Sequence, residues 1–326
     1  MSFLISLFIP VAMATMNANE TRGAQTVSIA GSAEICVIPQ KFPGAEYSSR
    51  DFKIESKLCG LGSSTLTAIC PKMTSTNPGS EFFAVPEGVD PASVEAKNCE
   101  VEGVKKVAKY KVSTSCSYAP SLLTYYHLSR ILGDVAQVPP SVVRTLDVGR
   151  HLSLAQKGAN MFRGNPKMTL LYQNFDFLAK QLSNPARSGR RDVLFTDDLK
   201  HSYGALQENP KGEEKYSELF FAGSRDDTYT RADAFRDKSP TYRLLSDRRP
   251  LSILLTTRWE EKSVQTLLQM KDVSEMIILD TILNQKDRFG NIHYVKRHFY
   301  LDSSQGNLQV LSKKEMDEPE VRSTGA

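Results

Sequence analysis

The residues best suited to chemistry are Asp287, Arg288 and Asn291, which lie in a polar turn after a long apolar segment. An aspartate can accept or orient an attacking hydroxyl, and a nearby amide or carboxylate oxygen can hold a metal ion bound to ATP. These residue types therefore suit phosphoryl transfer, with Asp287 and Asn291 in those two roles. The alternative is a helix end closed by Gly290 in a solvated loop.

The apolar segment before this turn has the periodicity of a buried helix. We expect helix from about 260 to 283, which would deliver the turn into a cleft or onto a surface. Its apolar residues recur at spacings of three and four: Val273, Met276, Ile277, Leu279, Ile282 and Leu283.

A second region, between 107 and 144, combines a strand, a helix and a strand. Lys111 closes an alternating segment that begins near Val107, as expected of a strand. Pro120 suits the start of a helix and Gly133 its end, and Val142 leads into the next strand. A lysine on a rigid strand can point a compact positive charge at phosphate oxygens. The alternative is a solvated lysine on an edge strand beside other lysines.

Both regions resemble one known family. Residues 127–144 resemble the His-Leu-x-Arg-Ile-Leu-Gly…Val-Pro-Pro-Thr-Val-x-Arg signature of the secreted Fam20 kinases, which include the Golgi casein kinase and the xylosylkinase. Residues 278–288 resemble the catalytic loop of that family, an Ile-Phe-Asp-Phe-Leu-x-x-Asn-Met-Asp-Arg-type run. Phosphatidylinositol kinases and HipA-like kinases would be more distant relatives.

The resemblance implies an exported atypical kinase that transfers the γ-phosphate of ATP to a hydroxyl on a protein or carbohydrate acceptor. Asp287, followed by Arg288, would be the catalytic-loop aspartate, and Lys111 would grip the nucleotide phosphates. Asn291 and Asp302 are the candidate ligands of Mg²⁺ or Mn²⁺. The implied fold is α+β and two-lobed, with a sheet and a regulatory helix in the N-lobe and a mainly helical C-lobe.

The chain departs from the family pattern at three places. Leu122 stands where the regulatory helix carries the glutamate that pairs with the lysine, and no acid occurs between 112 and 133. The family's metal ligand tends to fall five residues after the loop aspartate, where this chain has Ile292. Asp302 ends an apolar strand, but a hairpin turn followed by a second strand at 308–311 is the alternative. These departures keep a catalytically inactive pseudokinase, acting as a binding or scaffold module, as the second hypothesis.

Composition excludes some partners. Charged residues make up 24% of the chain, and 41 basic against 37 acidic residues leave a net charge of +4, so bulk charge does not indicate nucleic acid. The densest basic cluster, Arg187–Arg191, is either a solvated loop or a contact for an acidic group. Metalloprotease, serine-hydrolase and P-loop motifs are absent from the sequence.

Two features favour export. Residues 3–14 form an apolar run of signal-peptide length with an Ala-x-Ala site at 12–14, too short to span a bilayer, although a buried N-terminal helix would look similar. No other stretch is long and apolar enough for an integral membrane segment. The five cysteines all lie in the first 116 residues, which suggests up to two disulfides and one remaining thiol.

Four regions are expected along the chain. They are a signal peptide at 1–14, a cysteine-containing strand-and-loop region at 15–100, an N-lobe core at 101–150 and a C-lobe at 151–326. Within the last we expect a helix around 170–181, a turn-rich stretch at 203–210 and a final hairpin. Because no helical segments follow that hairpin, we expect an incomplete C-lobe.

Overall fold

The computed structural model describes residues 25–29, 31–62, 66–73, 75, 77–114, 117–215, 261–285, 293–294, 298–302 and 309–313. The fold is α+β, as predicted, with a seven-stranded antiparallel sheet and helices. The chain divides into two compact units, Met1–Asn209 and Pro210–Ala326.

The first unit contains the seven-stranded sheet. Its strands are β1 (Gln25–Ser28), β2 (Ile35–Ile38), β3 (Thr67–Pro71), β4 (Gly79–Ala84), β5 (Lys105–Val112), β6 (Ser141–Asp147) and β7 (His201–Glu208). Their order across the sheet is β1-β2-β6-β7-β5-β4-β3, and each neighbouring pair is antiparallel. Strand β7, the last of these seven strands along the chain, therefore lies in the centre and joins the two halves of the sheet.

Six α-helices lie among the described residues of the same unit. They are α1 (Ser49–Gly60), α2 (Pro91–Ala96), α3 (Pro120–Ile131), α4 (Val148–Phe162), α5 (Thr169–Ser183) and α6 (Arg191–Leu194). Local sequence explains where several of them begin. A capping box between Ser48 and Asp51 starts α1, Asp90 caps α2, and the Asp147 side chain accepts the Arg150 amide at the start of α4.

The main core lies between the sheet and the amphipathic helices. Phe82 of β4, Tyr110 of β5 and Leu206 of β7 are buried there with Leu154 of α4 and Leu178 of α5. Apolar side chains at spacings of three and four supply the buried face of each helix, and alternate strand positions supply the sheet face. Burying this surface fixes the register of β5, the strand that carries Lys111.

The second unit is described in smaller parts. It comprises β8 (Glu214–Lys215), α7 (Glu261–Ile282), β9 (His293–Tyr294), β10 (His298–Asp302) and β11 (Gln309–Lys313), with β8 paired to β9 and β10 paired to β11. The predicted helix and final hairpin are confirmed. Val273 and Leu279 are buried, but Ile277 and Ile282, also predicted to be buried, are 41% and 55% exposed. The buried face of α7 is therefore narrower than the apolar face that its sequence predicts.

The turn-rich interpretation of 203–210 was wrong, since most of this stretch forms β7. Polar residues and Gly204 obscure the strand pattern in the sequence. The region 15–100 contains strands as predicted but also helices α1 and α2. The predicted boundary at 150 lies inside the first unit, because β7 pairs with both β5 and β6.

Two disulfides link the cysteine-rich region. They join Cys36 of β2 to Cys59 of α1 and Cys70 of β3 to Cys99, as the predicted limit of two bridges allows, while Cys116 lies outside the described residues. Disulfides persist in oxidising compartments, so the pair fits an exported protein. None of the helices in the described ranges combines the length and apolar character of a membrane span.

Candidate functional site

The predicted site residues are divided between the two units. Lys111 lies on β5 in the first unit. Asp287, Arg288 and Asn291 fall outside the described residues, and for Asp302 the structure describes only its backbone at the end of β10. Lys111 is therefore the predicted site residue whose side-chain surroundings the structure describes.

Lys111 has small neighbours on both adjacent strands. Its Cα partners are Gly79 on β4 and Ala205 on β7. Residues directly opposite each other in an antiparallel pair share one face of the sheet. These two neighbours carry no side chain or only a methyl group, so neither of them places a long side chain beside the partly buried Lys111.

Lys72 extends the same row across the next strand. Its backbone amide donates a hydrogen bond to the Gly79 carbonyl, with 2.8 Å between nitrogen and oxygen, one step beyond the Pro71 and Ser80 pair. Lys72, Gly79 and Lys111 thus form a row over three strands. Sequence reasoning had not identified Lys72, because only the pairing of β3 with β4 brings it beside Gly79.

The electrostatics of this row are strongly positive. Burial first, and then the positive charges of Lys111 and Lys109, lower the pKa of Lys72 to about 8 from its ordinary 10.5. The charge of Glu81 on β4 opposes this shift. Glu81 also lies opposite Lys109 of β5 and accepts a hydrogen bond from Lys106 Nζ at 3.3 Å. Glu81 is therefore shared between Lys72 and the lysines of β5.

Two glycines hold the backbone of β5 at Lys111. A Cβ atom on Gly79 would lie 2.8 Å from the Tyr110 carbonyl oxygen, and one on Gly204 would lie 2.2 Å from the Lys111 carbonyl oxygen. Both distances are too short for a real Cβ contact, so the strands approach closely only because these residues lack side chains. The Tyr110–Lys111 backbone is consequently in close contact with both neighbouring strands.

Tyr110 anchors the strand from the opposite face. Its ring is buried with 5.8 Å between its centroid and that of His151, and its hydroxyl donates to the Arg144 carbonyl at 3.3 Å. Burial raises the pKa of the Tyr110 phenol far above its usual range. It therefore stays neutral, and Lys111 extends from a strand whose other face is fixed in the core.

Helix α3 follows β5 and carries the position where the kinase resemblance expects a glutamate. That position is Leu122, and the acids that contact α3 come from α1. Arg130 donates from Nη2 to Asp51 Oδ1 at 2.8 Å and from Nε to Asp51 Oδ2 at 3.0 Å, and Tyr126 donates to Glu55 Oε1 at 2.9 Å. Helix α3 is thereby tied to α1 by buried charge-assisted hydrogen bonds.

Glu55 also binds a lysine from the loop before α1. Lys41 Nζ contacts the Glu55 carboxylate and lies 4.8 Å from the centroid of the Tyr47 ring and 5.3 Å from that of Tyr126. A carboxylate with aromatic faces is an environment that attracts ammonium groups. Here the chain's own lysine occupies it, so the cluster joins the loop, α1 and α3.

The described part of the chain contains no group of three or more histidine, cysteine, aspartate or glutamate side chains that could hold a metal ion. The chemistry that these residues support is anion binding by the lysine row, centred on Lys111 and Lys72. Comparison of the chain with family models, with curated proteins and with solved structures found no match.

Proposed function

We propose that this chain is an exported kinase-like phosphotransferase of two-lobed fold, which transfers the γ-phosphate of ATP to a hydroxyl group on a protein or carbohydrate. The observation that carries the proposal is the position of Lys111. It lies in a lysine row on a strand whose backbone is held by Gly79 and Gly204. Catalysis of phosphoryl transfer depends mainly on such fixed positive charge and on positioning.

Each proposed role follows from the chemistry. Lys111 would bind phosphate oxygens, and Asp287 would orient the acceptor hydroxyl and take its proton, with Arg288 beside it. The acceptor oxygen forms a bond to the γ-phosphorus while the bond to the β–γ bridging oxygen breaks, and ADP leaves. Bound Mg²⁺ or Mn²⁺ would neutralise phosphate charge, with Asn291 and Asp302 as the proposed ligands.

A second candidate function is a pseudokinase that binds nucleotide or a partner without turnover. Helix α3 carries Leu122 at the expected glutamate position, and the two buried carboxylates of α1 bind Arg130, Tyr126 and Lys41. A phosphate-binding lysine that lacks the family's glutamate would be oriented differently. This feature of α3 specifically favours the inactive alternative.

Two measurements on the full chain separate these candidates. The first is the shift in thermal midpoint caused by ATP with Mg²⁺ or Mn²⁺, and the second is transfer of labelled γ-phosphate to a panel of secreted proteins and glycans. We expect Asp287→Asn to lower transfer by about a thousandfold and Lys111→Met to abolish nucleotide stabilisation. The matched control is Lys105→Met, which removes the same charge from the exposed start of β5.

Stabilisation without transfer, unchanged in Asp287→Asn, would support the pseudokinase instead. If the nucleotide leaves the midpoint of the wild-type chain unchanged, the kinase candidate is wrong, and of the pseudokinase candidate only the form that binds a partner without nucleotide is left.

A further inference from the structure

The loop before α1 forms an exposed apolar turn. The Ala45 amide donates to the Phe42 carbonyl at 3.3 Å, and Gly44 has a φ of +78°. With Pro43 at its second position, this is the pattern of a type II turn, which needs a positive φ at its third residue. Phe42 is 51% exposed, Pro43 and Gly44 are exposed too, and a Cβ atom on Gly44 would meet nothing within 4 Å. The tip of the turn therefore faces open space.

Both ends of this turn are fixed to the helices behind it. Lys41 contacts the carboxylate of Glu55, a buried residue of α1. The Tyr47 hydroxyl lies 2.6 Å from Nδ1 of His127, a buried residue of α3. Because the turn is already ordered, a partner that binds its tip loses little affinity to loop ordering.

Helix α1 adds positive charge next to the turn. Its two acids point inward, since Asp51 and Glu55 are only 2% and 1% exposed. Its basic residues, Arg50, Lys53 and Lys57, are all exposed. Lys53 and Lys57 are one helical turn apart and lie on the side of α1 away from its buried residues. The outward face of α1 is therefore basic, because no acid of this helix lies on it.

Phe52 connects the turn with the basic face of α1. Its ring is 49% exposed, and its centroid lies 5.6 Å from Nζ of Lys41, the residue next to Phe42 in sequence. Two half-exposed phenylalanines thus lie close to the same ammonium group. We call the Phe42–Ala45 turn, Phe52 and the outward face of α1 the turn–helix surface.

The chemistry of the turn–helix surface fits an anionic lipid bilayer. Basic side chains are attracted to phosphate headgroups, while aromatic rings bury apolar area at the boundary between headgroups and acyl chains. A sulfated glycan would pair with the lysines, but it offers no hydrocarbon for Phe42 and Pro43. Of the acids beside this surface, Glu208 pairs with Arg50 at 3.0 Å and Glu46 follows the turn, so we assign the attraction to the lysines of α1.

We infer that the turn–helix surface is a peripheral docking site for an anionic lipid bilayer. Phe42 and Phe52 enter the headgroup layer, and Lys53 and Lys57 lie against lipid phosphates. Such binding needs no membrane-spanning segment and is reversible, since its electrostatic part is screened by salt. It does not depend on the phosphotransferase proposal, because none of these residues has a role in that reaction.

Co-sedimentation of the full chain with vesicles tests this inference. The vesicles contain phosphatidylcholine alone, or phosphatidylcholine with about one quarter phosphatidylserine. We expect the wild-type chain to bind only the anionic vesicles and to dissociate as the salt concentration rises. Lys53→Gln with Lys57→Gln should weaken binding by about thirtyfold, because each basic residue near an anionic surface adds about fivefold. The matched control, Lys97→Gln with Lys105→Gln, removes two exposed lysines from elsewhere in the first unit and should change binding by less than about twofold.

The apolar part of the surface is tested separately. Phe42→Ser should weaken binding by about fivefold or more, because it removes the half-exposed ring that would leave water. Leu170→Ser removes a side chain of α5 that is 53% exposed, and it should leave binding unchanged. Phe42→Trp should retain binding, and brominated acyl chains should quench its fluorescence more than that of the wild-type chain, which has one tryptophan.

The inference is overturned if anionic vesicles do not bind the wild-type chain, or if Lys53→Gln with Lys57→Gln binds them as tightly as its control does. It is also overturned if brominated lipids quench Phe42→Trp no more than wild type, since the turn then stays outside the bilayer. Binding to heparin without binding to vesicles would identify a polyanion, and not a lipid surface, as the partner.

Discussion

Gly204 on β7 leaves only enough room for the carbonyl oxygen of Lys111 on β5, since a Cβ atom there would lie 2.2 Å from that oxygen. The neighbouring Tyr110 ring is 3.0 Å from the same point. Because the strand backbone and the buried ring both resist movement, a small shift of these atoms would not relieve the clash. The position of Lys111 therefore depends on the absence of a Cβ atom at Gly204.

Gly204→Ala should destabilise the first unit by about 3 kcal/mol or more, because overpacking against a fixed backbone exceeds the usual cost of an added methyl group. Urea unfolding followed by circular dichroism measures the change. Gly189→Ala is the matched control, since a Cβ on Gly189 meets nothing within 4 Å. Equal stability of the two variants would show that β7 and β5 can separate at little cost.

The elements around the site differ in how well their sequences predict them. Strand β5, helix α3 and strand β6 follow from alternation, from Pro120 and from Gly133, all of which are local signals. Strand β7 was missed because its polar residues and Gly204 suggest turns. What makes it a strand is pairing with β5 and β6, which are more than 50 residues away.

The candidate site shows the same limit. The type and strand position of Lys111 can be predicted from its own segment. The position of Lys72 depends on register across β3, β4 and β5, because only that register places it beside Gly79 and near the other lysines. Charge–charge proximity between strands has no local signature in a sequence.

Asp51→Asn should destabilise the chain by about 3 kcal/mol, since it removes the buried one of the two carboxylates that pair with the Arg130 guanidinium and leaves only the half-exposed Asp134. Arg130 and Asp51 are 3% and 2% exposed, and their ion pair is 2.8 Å long. Denaturant unfolding of both proteins at pH 7 measures the difference. Arg50→Gln, which breaks the exposed pair with Glu208, should cost less than about 1 kcal/mol and serves as the control.

The pH dependence of this loss has a defined sign. Burial of the Asp51 carboxyl raises its pKa, but hydrogen bonds from Arg130 and Ser48 outweigh it, so the folded pKa lies below the ordinary value. The stabilisation is therefore full above about pH 4 and is lost as the pH falls towards the folded pKa. The difference between wild type and Asp51→Asn should shrink only below about pH 4, and a constant difference down to pH 2 would contradict this account.

Two buried histidines should make the chain less stable as the pH falls from about 6.5 to 4. Burial lowers the pKa of His151 to about 4, and burial followed by the charges of Lys41 and Arg130 lowers that of His127 to about 4. Both rings are neutral in the folded state, so their contribution is full above the unfolded pKa. Each can contribute up to about 3 kcal/mol across this window.

The free energy of unfolding, measured every half pH unit, tests this expectation. His127→Gln should reduce the slope between pH 6 and 4.5 by about half, because His151 still titrates. Tyr47 hydroxyl and His127 Nδ1 are 2.6 Å apart, and among the described residues Nε2 has no hydrogen-bond partner. A slope that His127→Gln leaves unchanged would mean that other groups cause the acid sensitivity.

Loss of the Cys70–Cys99 disulfide should destabilise the sheet edge that carries Lys72, because the bond ties β3 to the turn after α2. The two cysteines are 29 residues apart, and a loop of that length contributes about 3.5 kcal/mol in the chain-entropy model. Unfolding of a Cys70→Ala, Cys99→Ala double variant measures this contribution. The same substitutions at Cys36 and Cys59, 23 residues apart, form the matched comparison. We expect both variants to be destabilised to a similar extent, because the two closed loops, of 23 and 29 residues, are similar in length. A much smaller loss in the Cys70 and Cys99 variant would show that pairing with β4, and not this disulfide, is what holds β3 at the edge of the sheet.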